Sequence, residues 1–272
     1  RKALVGPPGP SRTGPGVEGH HAEAGGRLGV MALDTGTGSR WAWRADERFP
    51  ACSTFKVLAA AAVLARSVDD AGLLTRRVRY PASELVTYSP VTEKHLADGM
   101  TIAELCAAAL QYSDNTAGNL LLRQIGGPAG VTNYARSIGD STFRLDRWET
   151  ELNTAIPGDP RDTCTPAGMA HNLQRLLLGD ALAPAPRAQL QAWMRGNTTG
   201  ATRIRAGVPA AWAVADKTGS GDYGSVGDIG VTWRPDAAPI VLALYFAQAT
   251  KDASMRSDVL AAAARIVADA AG

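Results

Sequence analysis

The chain has 272 residues, 45% hydrophobic and 20% charged, which is enough apolar material for one large domain or two interleaved lobes around a sizeable core. Its 28 Lys and Arg against 26 Asp and Glu leave a formal charge of +2 with no basic stripe, which excludes the electrostatic footprint of a nucleic-acid or anionic-membrane binder. No apolar run approaches the ~20 residues that span a bilayer.

Residues 1–19 are crowded with Gly and Pro (Gly6-Pro7-Pro8-Gly9-Pro10, Gly14-Pro15-Gly16), which sustain neither a helix nor a central strand. This stretch reads as a tail or tether. From Arg27 the pattern changes: Leu28, Val30 and Ala32 alternate, Asp34-Thr35-Gly36-Thr37-Gly38 turns, and Trp41 and Trp43 alternate again, as in a β-hairpin. Cys52 to Arg66 is apolar nearly all round, the mark of a buried helix. Thr101-Ile102-Ala103-Glu104 is a capping box that opens a helix ending near Tyr112. Further helices are predicted to start at Thr116, at Pro128, at Pro166 and near Pro186, since proline suits a first helical turn.

Between Phe143 and Thr165 about twenty residues show no periodicity, which in a compact domain points to a functional loop. Strands return at Ala213 to Lys217, Ile229 to Trp233 and Ile240 to Phe246, and a final helix runs from about Ser254 to Ala270. This order predicts an α+β fold: an antiparallel sheet built from both termini and flanked by helices, with an inserted all-helical lobe. Residues 20–46 and 202–272 form the first lobe and 47–201 the second, with the chemistry at their seam.

Cys52, Cys106 and Cys164 make no C-x-x-C and read as small buried hydrophobes; His20, His21, His95 and His171 make no H-x-H-x-D cluster. Neither a metal nor a cofactor is predicted. The chemistry-bearing motifs are short. Ser53-Thr54-Phe55-Lys56 opens the buried helix, placing Ser53 at its positive end with Lys56 on the same face. A lysine among apolar neighbours has its charged form disfavoured and can accept the serine's proton. Taken alone, the motif also reads as an N-cap serine followed by a snorkelling lysine. Ser113-Asp114-Asn115 alone reads as a helix cap, and Lys217-Thr218-Gly219 alone as an exposed strand end.

In this order, with about sixty and then about a hundred residues between them, the three motifs resemble those of class A serine β-lactamases and penicillin-binding proteins. The likeness runs from about Arg27 to the C-terminus. Glu149-Thr150-Glu151-Leu152-Asn153, inside the unpatterned loop, is similar to the E-x-x-L-N element of the class A enzymes, which penicillin-binding proteins lack. Arg147 and Asp162 fall where class A enzymes have an ion pair closing this Ω loop.

The resemblance implies a β-lactamase of the EC 3.5.2.6 type, in which Ser53 attacks the lactam carbonyl and the N–H groups of Ser53 and Ser220 hold the oxyanion. Lys56, or Glu149 through a water, takes the serine proton; Ser113 and Lys217 pass a proton to the departing nitrogen. Glu149, helped by Asn153, activates the water that clears the acyl-enzyme. The substrate carboxylate meets Lys217, Thr218, Gly219 and Ser220. Many class A enzymes add an arginine from the next strand, but that position falls on Val226 here. Arg203 matches an alternative arginine of the family, with Arg205 as a structural neighbour.

By the same resemblance, Asn115 meets the substrate side-chain amide and Tyr88, in Tyr88-Ser89-Pro90-Val91, walls the entrance. Cys52 stands where class A carbapenemases have a disulfide cysteine, but Gly221 occupies the partner position, so robust carbapenem turnover is not expected. The partners implied are a small β-lactam, no nucleic acid and no second subunit. The location implied is the periplasm, cell envelope or exterior. Two rivals are a penicillin-binding DD-peptidase, against which Glu149 and Asn153 speak, and a β-lactam sensor that acylates without turnover, against which the same glutamate speaks.

Overall fold

The computed structural model describes Ser11–Arg12 and residues 25–272. β1 is the two-residue Ser11–Arg12, and β2 (Arg27–Asp34) and β3 (Arg40–Trp43) make the predicted hairpin. A 3-10 turn, Cys52–Thr54, leads into α1 (Phe55–Ser67), followed by α2 (Ile102–Gln111), α3 (Asn115–Gln124) and α4 (Gly127–Ser137). α5 (Pro166–Leu173) runs on as a π-helical turn, before α6 (Pro184–Arg195) and the short α7 (Ile204–Gly207). The chain closes with β4 (Ala213–Gly221), β5 (Ser225–Trp233), β6 (Ile240–Ala247) and α8 (Ser257–Ala271).

These strands form one sheet in the order β1-β3-β2-β6-β5-β4. Both ends of the chain therefore meet in its centre, where β2 pairs antiparallel with β6 from Ile240↔Asp34 to Ala247↔Arg27. β6 is buried on both faces, which is why Ile240–Ala247 reads as an unbroken apolar run. Ile240, Leu242, Leu244 and Phe246 join Leu28, Val30 and Ala32 against Val259, Leu260, Ala263 and Val267 of α8. Val241, Ala243 and Tyr245 join the other core, which continues through α1, α2 and α3 into the helical lobe. Each large apolar side chain so buried contributes about 1.5–3 kcal/mol.

Several sequence expectations shift. β1 lies inside the predicted tail yet pairs in parallel with β3, Ser11↔Arg40 and Arg12↔Trp41, an edge position that demands little of the chain. The rest of that tail lies outside the described residues, as do His20 and His21. The inserted lobe, expected to be all-helical, also carries two small antiparallel ladders, Phe49–Pro50 with Thr163–Cys164 and Arg77–Val78 with Met100–Thr101. α3 starts at Asn115 rather than Thr116 because the Asp114 side chain accepts the Ala117 N–H. α6 starts at Pro184 rather than near Pro186, and α8 at Ser257 rather than near Ser254. Among the described residues no helix is long and apolar enough to cross a membrane.

Candidate active site

Ser53 sits in the 3-10 turn before α1 rather than in the α-helix itself. That turn is pinned from below: Thr54 Oγ1 donates to Ala51 O at 2.6 Å and lies 3.0 Å from the Tyr245 hydroxyl of β6. Cys52 just before it takes φ 45°, and Tyr88 and Ser113 are also left-handed, at 65° and 58°. Non-glycine residues with such backbones gather where a site over-determines its geometry.

Lys56 follows on the buried face of α1 and is fully enclosed. Its Nζ lies 2.8 Å from Asn115 Oδ1, 2.9 Å from Ser113 O, 3.0 Å from Ser53 Oγ and 3.4 Å from Glu149 Oε1. An ammonium has three protons for these acceptors, while a neutral amine keeps a lone pair for the serine proton. Burial pulls Lys56 below the ordinary lysine range, and the adjacent Glu149 acts against that pull. The helix facing it has glycine at Gly118, where a Cβ would come within 2.9 Å of Lys56 Cε.

Glu149 reaches the same serine from the other side, with Ser53 Oγ donating to Oε1 at 3.4 Å and Asn153 Nδ2 donating to Oε2 at 2.7 Å. Three sets of contacts hold it there. Asn119 of α3 accepts the Glu149 N–H at 2.9 Å and donates to its carbonyl at 3.0 Å. Arg147 Nε meets Asp162 Oδ2 at 2.7 Å across the neck of the loop, and Asp162 Oδ1 accepts the N–H groups of Asp146 and Arg147. The Asp162 carbonyl in turn accepts the Ala51 N–H, tying the loop to the nucleophile's own turn.

The opposite wall is β4. Lys217-Thr218-Gly219 does not end a strand, as the sequence suggested, but lies inside one: pairing with β5 continues to Gly221↔Ser225. Lys217 is fully buried, its Nζ donating to Ser113 Oγ at 2.9 Å and Thr218 O at 2.6 Å. Burial first, and Lys56 second, push it well below the ordinary lysine range. Ser113 Oγ thus receives both lysines, Lys56 at 3.4 Å, which leaves its own proton to donate into the site. A Cβ at Gly219 would stand 3.0 Å from Ala51 O and 3.2 Å from Ser53 N, so the strand approaches the nucleophile's N–H this closely only with glycine there.

Arg203 is buried under the end of this strand. Nη1 donates to the carbonyls of Gly219 and Gly227, Nη2 to Ser220 Oγ, all at 2.8 Å, and Nε to Ser257 Oγ at 3.1 Å. Val226 is buried in the core under α8. Arg205 turns away to Asp216 at 2.9 Å and to the carbonyls of Val214 and Arg195. Thr218 Oγ1 meets Thr199 Oγ1 at 2.6 Å, and Tyr88 stands 56% exposed at the rim. Asn115 is anchored within the protein, to Lys56 and through Nδ2 to Thr87 O at 2.9 Å. Asp114, the middle of its motif, is saturated by Val91, Thr92 and Ala117, tying the Tyr88 loop to α3. Cys52 is a free thiol whose Sγ would lie 2.9 Å from a Cβ at Gly221.

The sequence reading named Ser53, Lys56, Ser113, Glu149 and Lys217, and the fold brings their functional atoms into one connected network. It missed Asn119, Gly118 and Thr199, which carry no motif of their own.

An alcohol with a basic group on each flank, one of them on a separately clamped loop beside an amide, is the arrangement of a hydrolase that works through a serine ester. That class is what fold and geometry define. Comparison with known proteins agrees and is narrower. The model of the beta-lactamase enzyme family matches residues 17–271. Beta-lactamase OXY-2 of Klebsiella oxytoca is 58% identical over 246 residues, 90% of this chain and 85% of that protein. The carbapenem-hydrolyzing beta-lactamase KPC of Klebsiella oxytoca is 57% identical over 249 residues, 91% of this chain and 85% of that protein. The crystal structure of a beta-lactamase from Desulfarculus baarsii DSM 2075 superposes with a TM-score of 0.93 at 57% identity, covering 94% of this chain and 96% of that one. The chain belongs to the beta-lactamase enzyme family as a class A member, and its activity is the hydrolysis of β-lactams.

Proposed function

We propose that Ser53 opens the β-lactam ring of penicillins and cephalosporins as a nucleophile and that Glu149 drives the hydrolysis of the resulting ester. The observation that carries this reading is the contact of Glu149 Oε1 with both Ser53 Oγ and Lys56 Nζ at 3.4 Å. A single carboxylate beside the nucleophile serves either attack: it takes the serine proton in acylation together with Lys56, and a water proton in deacylation. Asn153 Oδ1, buried without a donor among the described residues, supplies an acceptor for that water while its Nδ2 orients the carboxylate.

The Ser53 and Ser220 N–H groups form the oxyanion hole, each such donor being worth about 2.7–4 kcal/mol in the transition state. Ser113, fed by Lys217, protonates the departing nitrogen. The substrate carboxylate lies against Thr218, Gly219 and Ser220, with Arg203 supplying positive charge through Ser220. Asn115 and Tyr88 meet the acyl side chain. In this scheme the site lies between the two lobes expected from the sequence, one built from both ends of the chain and one inserted. The free Cys52 facing Gly221 supports a spectrum without robust carbapenem turnover. The substrate class supports a periplasmic, envelope or secreted location.

Nitrocefin tests the reading directly. Continuous turnover is expected; one equivalent of colour followed by a stable acyl-protein would instead mark a penicillin-binding DD-peptidase or a sensor.

A further inference from the structure

Beneath β4, two carboxyl groups lie on one face of the sheet, diagonal across the strands: Asp216 opposes Gly230 and Asp228 opposes Thr218. Both are 0% exposed, and the charge of Asp216 acts on Asp228. Each has one oxygen supplied with donors. Asp216 Oδ1 accepts from Arg205 Nε at 2.9 Å and Asn197 Nδ2 at 3.0 Å, and Asp228 Oδ2 accepts the Ile204 N–H at 3.0 Å. The other two oxygens, Asp216 Oδ2 and Asp228 Oδ1, have no donor among the described residues.

We propose that Asp216 and Asp228 hold one proton between these two oxygens, and that this proton keeps the corner built on Arg203 cationic toward the substrate carboxylate. Two buried carboxylates on one face at diagonal positions, each with an oxygen lacking a donor, are strongly disfavoured when both are ionised, and one shared proton resolves both orphaned acceptors at once. Burial, and then Asp216, raise Asp228 well above the ordinary carboxyl range, in keeping with that arrangement. The charged groups facing the pair are Arg203 and Arg205 from the segment before β4; Lys217, next to Asp216 in β4, points from the opposite face to Ser113.

The consequence is a matter of counting charge. With both acids ionised, their two negative charges cancel Arg203 and Arg205. With one proton shared, Arg205 neutralises the remaining carboxylate and Arg203 keeps its charge for the ligand. Asp228 also holds the Ile204 N–H, the residue next to Arg203, so the same carboxyl places the guanidinium. Asp216 and Asp228 are positioning residues and touch no substrate.

This inference rests on assigning Arg203 to the substrate carboxylate, and the two ideas fail separately. ¹³C NMR of Asp-labelled wild-type protein should show one aspartic acid still protonated at neutral pH; none protonated would overturn the shared proton whatever Arg203 does. Asp228→Asn places an amide where the acid stood, able to accept from Ile204 and donate to Asp216, but unable to ionise. The rise in KM for a penicillin between neutral pH and the alkaline limb should be about tenfold larger in the wild type than in this variant, an effect of the size one nearby charge produces in a partly screened site. Loss of charge on Lys217 sets in no later in the variant, which lacks the Asp228 charge that favours it, so a larger rise in the wild type isolates the pair. Equal rises would overturn the proposal. Arg203→Ala raising KM equally for anionic and neutral substrates would overturn the Arg203 assignment and leave the NMR result standing.

Discussion

Lys217 and Ser220 are placed by backbone: β4 pairs with β5 without a break from Ala213↔Trp233 to Gly221↔Ser225, and the side chains follow from the register. Glu149 has no such ladder. It stands on a loop held by side chains, chiefly Asn119, Asn153 and the Arg147–Asp162 pair. A strand-held group tolerates the loss of one neighbour, because many backbone bonds hold it. A loop-held group depends on a few partners, each of which can be removed singly. The loop wall should therefore be the place where single substitutions separate deacylation from acylation, and the strand wall the place where they change substrate binding.

The largest separation is expected at Asn119, which binds the Glu149 backbone in both directions. Asn119→Ala should slow deacylation by about 10- to 100-fold, the scale of a misplaced catalytic group, while acylation changes only a few-fold. Rapid-quench kinetics should show kcat falling more than kcat/KM and the acyl-enzyme accumulating. An equal fall in both would erase the contrast between the walls.

On the strand side, Arg203→Ala should raise KM by about tenfold for anionic β-lactams, the loss of one nearby positive charge in a partly screened site, with less effect on neutral analogues and on kcat. Lys217 sharpens the same point through pH. Burial lowers it from the ordinary value of 10.5, so its positive charge is present below the lowered value and lost as pH rises through it. The alkaline fall in kcat/KM for an anionic substrate should accordingly begin below pH 10.5, carried by KM.

The smallest effect is on stability. Arg147→Ala leaves Asp162, 1% exposed at its side chain, with its two backbone donors but no cation. A partly shielded pair of this kind is worth about 1–2 kcal/mol, so the melting temperature should fall by roughly 2–8 °C. A larger loss of kcat than of stability would show that the pair also sets the position of Glu149.

The same contrast explains what could be read from the sequence. Ser53, Lys56, Ser113, Glu149 and Lys217 were legible because each stands in a short motif, and the hairpin, the capping box at Thr101 and the apolar run of β6 carry strong local patterns. The unpatterned stretch between Phe143 and Thr165 was visible as a loop for the opposite reason. Asn119 and Thr199 were not legible, since each acts on a partner distant in sequence and looks like an ordinary polar residue. The outer halves of β4 and β5 were missed because Thr218, Gly219, Ser220, Ser225 and Gly227 are small or polar and carry no apolar alternation. Tertiary pairing, and burial against the nucleophile's turn, make them strand.

In the mechanism proposed, Glu149 completes the reaction that Ser53 begins. Glu149→Ala, mixed with a penicillin and followed by stopped-flow and intact-protein mass spectrometry, tests it most directly. The expected result is about one equivalent of product in a burst, a mass increase of one opened β-lactam on the Ser53 peptide, and steady-state turnover lower by about 10²- to 10⁴-fold. Sustained turnover near the wild-type rate with no accumulated acyl-enzyme would contradict it.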